Sequence, residues 1–235
     1  MLARLLVQAG ADAIFSYAGR TDKPVAQPLP TRVGGFGGVE GLLVYLKAEK
    51  ITHLVDATHP FAAQMSTNAV HACAEAGVQL MGLERPGWPE GAGDRWTHVA
   101  DMEGAVAALP DAGARVFLAI GKQNLGAFAT KPGNFYLLRL VDPPTAPLPL
   151  PKAEAVIARG PFDMASDRKL LEDFAITHIV AKNSGGSGAR AKLDAARALG
   201  VPVILIDRPH VPPRPVLDRP EAVMAWLGHS ADLGV

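Results

Sequence analysis

Two hydrophobic periods alternate along this chain. Short, nearly continuous apolar runs bounded by Gly, Pro, Asp or Asn read as strands buried on both faces. They fall at 11–19 (ADAIFSYAG), 52–57 (THLVDA), 78–84 (VQLMGLE), 114–121 (ARVFLAIG), 135–141 (FYLLRLV), 155–159 (AVIAR), 177–182 (THIVAK) and 201–207 (VPVILID), with WTHVA at 96–100 as a shorter one. Between them lie stretches of helical period: 39–50, 61–77, 101–110, a short one over 122–130, 163–175 capped by Asp163, 188–200 and 219–228. The chain opens on another helix, MLARLLVQAG, apolar at Leu2, Leu5, Leu6 and Ala9 and closed by Gly10. Strand and helix in strict alternation predict right-handed βαβ units and parallel sheets. PGWPEGAGDR at 86–95 breaks the rhythm as a loop or domain boundary, and DPPTAPLPLP at 142–151 is a stiff connector. Two doubly wound modules are expected, over 1–100 and 101–235.

Composition narrows the function classes. Apolar residues make up 49% and charged residues 20%, so a core is expected and disorder is not. The net charge is zero, which gives no general affinity for nucleic acid or an anionic membrane. The one cysteine, Cys73, excludes a disulfide framework and a Cys-type zinc site, and the chain reads as cytoplasmic. Neither a signal peptide nor a run of 18 apolar residues is visible. The seven histidines lack a spacing such as H-E-x-x-H, and G-x-S-x-G is absent, so neither a metal nor a serine nucleophile is expected.

In open α/β sheets ligands bind beyond the carboxyl ends of the strands. Six strands are followed there by a basic residue: Arg20 (YAGR), Arg85 (LERP), Lys122 (IGK), Arg159 (IAR), Lys182 (VAK) and Arg208 (IDRP); Arg139, inside YLLRLV, is a further candidate. Any one of them is explained about as well by a strand reaching the surface. Together they crowd like charge on one edge, a cost that an anionic ligand relieves. A ligand with several anionic groups, in a cleft between two modules, is the inference. Two glycine-rich turns fit it: GGFGG at 34–38, and KNSGGSGARAKL at 182–193, which runs from a strand into a helix. Neither is a P-loop or a G-x-G-x-x-G turn, and a ligand-free flexible loop explains each nearly as well. In VDATHPFA, residues 55–62, Asp56, Thr58, His59 and Pro60 sit where a strand meets a helix. Capping and turn chemistry account for them slightly better than catalysis does. Trp88 and Trp96 flank the 86–95 loop, where boundary packing is a commoner role than stacking on a planar ligand.

The segments FSYAGR (15–20), PVAQPLPTRVGGFGG (24–38), VDATHPFAAQMS (55–66), LERPGW (83–88), FLAIGKQNL (117–125), ARGPFD (158–163), AKNSGG (181–186) and VILIDRP (203–209) together resemble the precorrin-6A reductase family of cobalamin biosynthesis. The resemblance implies an α/β fold of two Rossmann-like doubly wound parallel-sheet modules with a cleft between them, the first for cofactor and the second for substrate. It implies NADPH as the hydride source, a polycarboxylate tetrapyrrole (precorrin-6A) as substrate, protonation at the neighbouring carbon, no metal, and hand-over of the dihydro product to the next enzyme of the route. Family members open with a strand and an LGGTxEA turn, whereas this chain begins inside the helix that follows, so the first module is expected without that strand and turn. Arg20 is placed for an adenosine 2′-phosphate. Gly34, Gly35, Gly37, Asp56 and Pro60 are assigned to the cofactor, and Thr58 and His59 to catalysis. Arg85, Lys122, Arg159, Lys182, Ser184, Gly185, Gly186 and Arg208 are assigned to the substrate. The proton donor stays open among His59, solvent and a substrate carboxyl. A cobalt-containing substrate of the anaerobic route, a non-catalytic tetrapyrrole carrier and, by fold analogy alone, a phosphoanion enzyme are the alternatives.

Overall fold

A computed structural model of the chain describes residues 1–19, 25–144 and 146–232, so Arg20 lies outside the described residues. In chain order the elements are α1 (Leu2–Gln8), β1 (Phe15–Tyr17), β2 (Thr31–Val33), α2 (Gly38–Ala48), β3 (His53–Asp56), α3 (Ala63–Ala76) and β4 (Gln79–Leu83). There follow β5 (Trp96–Val99), α4 (Met102–Ala107), β6 (Ala112–Ala119), a 3₁₀ helix (Lys122–Thr130), β7 (Gly133–Leu140), β8 (Ala153–Ile157), α5 (Met164–Asp173) and β9 (His178–Lys182). The chain closes with α6 (Ala191–Leu199), β10 (Val203–Ile206), β11 (Val216–Leu217) and α7 (Pro220–Asp232). All strand pairs among the described residues are parallel, as the unbroken apolar runs predict. Asp163 caps α5 by accepting from Ser166 N at 2.9 Å, as read from the sequence. Asp101 does the same for α4, accepting from Gly104 N at 2.8 Å. No helix among the described residues is long and apolar enough to cross a membrane.

The chain divides into two compact units, Met1–Arg85 with His210–Val235, and Pro86–Pro209. This differs from the expected 1–100 and 101–235. Pairing decides it: β5 is hydrogen-bonded to β10, and β11 returns to pair with β4. The proline-rich stretch at 209–220 is thus a second crossing between units, whereas 86–95 marks the first as expected.

Unit 2 holds one six-stranded sheet in the order β5-β10-β9-β6-β7-β8. From β6 the chain moves to β7, and from β9 it moves the opposite way to β10, so the order reverses between β6 and β9. Right-handed crossovers then put the 3₁₀ helix with α4 on one face and α5 with α6 on the other, the pairings that are in contact. Phe117, Leu137, Ile179, Leu193 and Leu205 form the core, each no more than 1% exposed. Burying each such side chain contributes about 1.5–3 kcal/mol. Unit 1 holds β11-β4-β3 and the pair β1-β2. Its α2 and α3 pack Leu42, Leu46, Ala69, Ala72 and Cys73 together. The sequence reading misses β2 and β11, because each is three residues or fewer and embedded among prolines or glycines.

A fragment spanning 86–209 contains its complete sheet and is expected to unfold in one cooperative urea transition followed by circular dichroism. A fragment spanning 101–235 lacks β5 and carries β11 without β4, and is expected to show none.

Candidate functional site

The carboxyl ends of β6 and β9, where the strand order reverses, form the expected ligand position of unit 2. Lys122 stands just past β6, exposed, at the start of the 3₁₀ helix. Lys182 closes β9 and is half-buried; desolvation lowers its ammonium below the ordinary lysine value. The Asn183–Gly186 turn follows directly. Its carbonyls are spent on the protein: Arg208 Nε donates to Asn183 O at 3.0 Å and Arg208 Nη2 to Ser184 O at 3.4 Å, while Trp88 Nε1 donates to Gly186 O at 2.6 Å. Asn183 Oδ1 also accepts from Trp88 N at 2.8 Å. Two of its N–H groups are committed as well, Asn183 N to Ile206 O at 2.9 Å and Ser184 N to Lys182 O at 2.7 Å, so the N–H groups of Gly185 and Gly186 are the part that such a turn offers to an anion. Gly185 is required here: its φ is +70°, and a Cβ would lie 2.1 Å from the Pro86 carbonyl oxygen.

Lys122, Lys182 and the Ser184–Gly186 turn therefore share the two adjacent strand ends, with Arg208 one strand over. Arg208 also staples the turn, a role that its place after β10 did not disclose. Arg159 follows the edge strand β8, exposed and 4.0 Å from Asp142. It is separated by β7 from the reversal point. Arg139 is not at the edge as a free cation: it pairs with the buried Asp167 and lies 4.0 Å over the Phe162 ring. Trp88 is 5% exposed within the core, which corrects any stacking role in favour of packing. A further polar pair at these strand ends, His98 and Asp207, is not marked by any motif. They come from the register neighbours β5 and β10 and meet at 2.7 Å.

In unit 1 the ends of β1 and β2 meet at Gly34, whose N–H donates to Tyr17 O at 2.9 Å. Arg32, also missed in the sequence, holds the GGFGG turn from behind. Its guanidinium donates to Gly34 O, and to Gly35 O at 2.8 Å, and lies 3.9 Å over the Phe36 ring. A Cβ added at Gly34, Gly35 or Gly37 meets nothing within 4 Å. The turn thus presents bare backbone to open space, which fits close approach of a nucleotide. Arg85 ends the unit, exposed after β4.

At the end of β3, Asp56 is only 4% exposed. Its Oδ1 accepts from Thr58 N at 3.1 Å and from Thr58 Oγ1 at 2.6 Å. Its Oδ2 lies 3.2 Å from Arg214 Nη2, and the same nitrogen reaches Glu84. The Asp56 carboxylate, expected at the cofactor, is occupied within the protein and shapes the turn. His59 is exposed; its Nδ1 accepts from Phe61 N at 3.2 Å, so the neutral ring carries its proton on Nε2. Pro60 is half-buried beside it. Behind the turn, burial and the nearby Asp56 charge push the Cys73 thiol up to about 11.

These edges define first a class: parallel α/β units whose strand ends carry cations and bare glycine turns. The family described as "Precorrin-6x reductase CbiJ/CobK" matches residues 1–228, and the chain belongs to it. It is 65% identical over 226 residues to the "Precorrin-6A reductase" of Rhodobacter capsulatus, covering 96% of this chain and 90% of that protein. To the "Precorrin-6A reductase" of a Sinorhizobium species it is 50% identical over 205 residues, covering 87% and 78%. A solved structure described as "CobK precorrin-6A reductase" superposes with a TM-score of 0.92 at 64% identity, covering 97% of this chain and 91% of that one. Membership makes the chain an oxidoreductase and implies a reduced nicotinamide cofactor.

Gly185→Ala combines a left-handed φ with a backbone clash and is expected to destabilise unit 2 by roughly 1–3 kcal/mol, read from its denaturation midpoint. Cys73 ionises near 9.0 when unfolded and about 11 when folded, so its contribution to stability is complete below pH 9 and is lost as pH rises through 11. Native protein at neutral pH is expected to leave a thiol reagent unreacted until denaturant is added.

Proposed function

We propose that this chain catalyses the NADPH-dependent reduction of precorrin-6A to its dihydro product, with the cofactor on unit 1 and the substrate carboxylates on unit 2. The observation that carries the reading is membership of the reductase family over nearly the whole chain, with relatives named for the substrate without cobalt. NADPH, when bound, supplies a hydride to one carbon of the macrocycle double bond. The Gly34–Gly37 turn, braced by Arg32, receives the nucleotide, and Arg20 recognises its 2′-phosphate. Lys122 and Lys182 neutralise acetate and propionate arms of the substrate, and Gly185 and Gly186 add backbone N–H donors beside Ser184. A bound carboxylate restores to Lys182 the stabilisation that burial removes. Thr58 stays locked to Asp56, which fixes the His59–Pro60 turn. The His59 ring, protonated from solvent, supplies the proton to the neighbouring carbon and returns to the neutral state.

Purified chain mixed with precorrin-6A and NADPH is expected to consume both in equal amounts, followed by their absorbances. Tetrapyrrole binding without NADPH loss would return the chain to the carrier reading. Arg20→Ala is expected to raise the Michaelis constant for NADPH roughly 10- to 100-fold, the value of a charged hydrogen bond, and that for NADH far less. Equal effects would reject the phosphate role. His59→Ala is expected to lower kcat about 10²- to 10⁴-fold if the ring transfers the proton. Near-normal turnover would leave it only the turn.

A further inference from the structure

Among the described residues, a charged cluster in unit 1 is left unexplained by the reading above. Arg214 comes from the returning segment just before β11. That segment is clipped to β4 by Gly82 N donating to Pro215 O at 2.9 Å and Glu84 N to Leu217 O at 2.9 Å. Asp56, at the end of β3, is the register partner of Gly82, and Glu84 lies two residues further along the adjacent strand. Two carboxylates from neighbouring strand ends therefore converge on one guanidinium. The side chains are nearly sealed from solvent: 7% exposed for Arg214, 3% for Asp56 and 18% for Glu84. A single nitrogen, Nη2, serves Asp56 at 3.2 Å, Glu84, and the Ser66 hydroxyl at 3.5 Å. Gly82 makes the room, since a Cβ there would lie 3.1 Å from Arg214 Nε.

The cluster is costly as architecture. One positive and two negative groups are withdrawn from water, and Arg214 Nε and Asp56 Oδ2 are buried without a hydrogen bond among the described residues. Apolar residues of similar volume fill such a space at lower cost. What the cluster controls is visible on its other side. The Asp56 oxygen that does not face Arg214 holds both the N–H and the hydroxyl of Thr58, one residue before His59. The groups facing Asp56 are thus Arg214, Thr58 and the neutral Cys73 thiol of α3, while Ser66 of α3 faces both Thr58 and Arg214.

We propose that Arg214 is a positioning residue for the reduction. It fixes the Asp56 carboxylate, and through it the Thr58–Pro60 turn, while balancing Asp56 against Glu84. This rests on the reductase reading, with His59 at the reacting carbon. Arg214 touches neither substrate nor cofactor in this role; it sets the angle from which the turn meets them.

The full chain, wild type and variants, is assayed with NADPH and precorrin-6A across pH, with thermal midpoints recorded in parallel. Arg214→Met is expected to lower kcat tenfold or more with the substrate Michaelis constant unchanged, because Lys122 and Lys182, proposed above for the substrate carboxylates, lie in unit 2. Without the guanidinium, like charges crowd, and one carboxyl takes up a proton as pH falls. The kcat profile of the variant gains that ionisation, and infrared spectra of the cofactor-free variant gain a protonated-carboxyl band absent from wild type. Adding Glu84→Gln removes both signatures. Should Arg214→Met not fold, Arg214→Lys decides: it keeps the charge, loses the two-carboxylate fork, and must show the kcat loss at unchanged Michaelis constant. A folded variant with wild-type kcat and pH profile overturns the proposal. A wild-type chain that consumes no NADPH with precorrin-6A overturns the reductase reading instead.

Discussion

Parallel pairing is the constraint from which the rest follows. A parallel neighbour is reached only by a crossover, so each strand begins at the same side of its sheet and ends at the other. Every loop that leaves a strand then emerges along one edge, and residues far apart in sequence become neighbours there. Lys122 and Lys182 are 60 positions apart in the chain, yet they follow β6 and β9, which are hydrogen-bonded to each other. Asp56 and Glu84 stand in the same relation in unit 1. The core supports this arrangement by being dry: β10 is buried at all four positions, so polar chemistry is displaced to the strand ends.

The edge is electrostatically expensive, and the chain meets the cost in two ways. Some cations are neutralised within the protein. Arg139 has Asp167, and Arg214 has Asp56 and Glu84; the guanidiniums of Arg32 and Arg208 bond main-chain carbonyls. Others stay at the surface or partly so: Lys122 is exposed and Lys182 half-buried, its ammonium lowered by desolvation. The first group shapes turns.

Much of the fold was legible because long buried strands announce themselves. β6, β7, β9 and β10 are continuous apolar runs, and Asp163 marks the start of α5 with a capping side chain. What escaped is short or non-local. β2 and β11 carry too few residues to set a period, and β11 is a strand only because β4 offers it a partner. The unit boundary moved for the same reason: WTHVA belongs to the second sheet through β10, which lies a hundred residues later. Position after a strand puts Lys122, Lys182 and the Ser184–Gly186 turn at two neighbouring strand ends. It does not distinguish a cation facing a ligand from one facing a carbonyl or a carboxylate. Arg208 and Asp56 had a second occupation for that reason, and Arg214 was invisible within PPRPV. Proline spacing there reads as linker, and its carboxylate partners are 130 and 158 residues upstream.

The central claim is that this chain, as a member of the reductase family, carries hydride from a nicotinamide to a tetrapyrrole. Its most direct test is transfer of label. NADPH deuterated at the transferable C4 position is incubated with the chain and precorrin-6A, and the product is examined by mass spectrometry and NMR. The account predicts one deuterium at a single macrocycle carbon, with the adjacent hydrogen drawn from water. A product without label from the cofactor, or bound tetrapyrrole that stays unreduced, would contradict it.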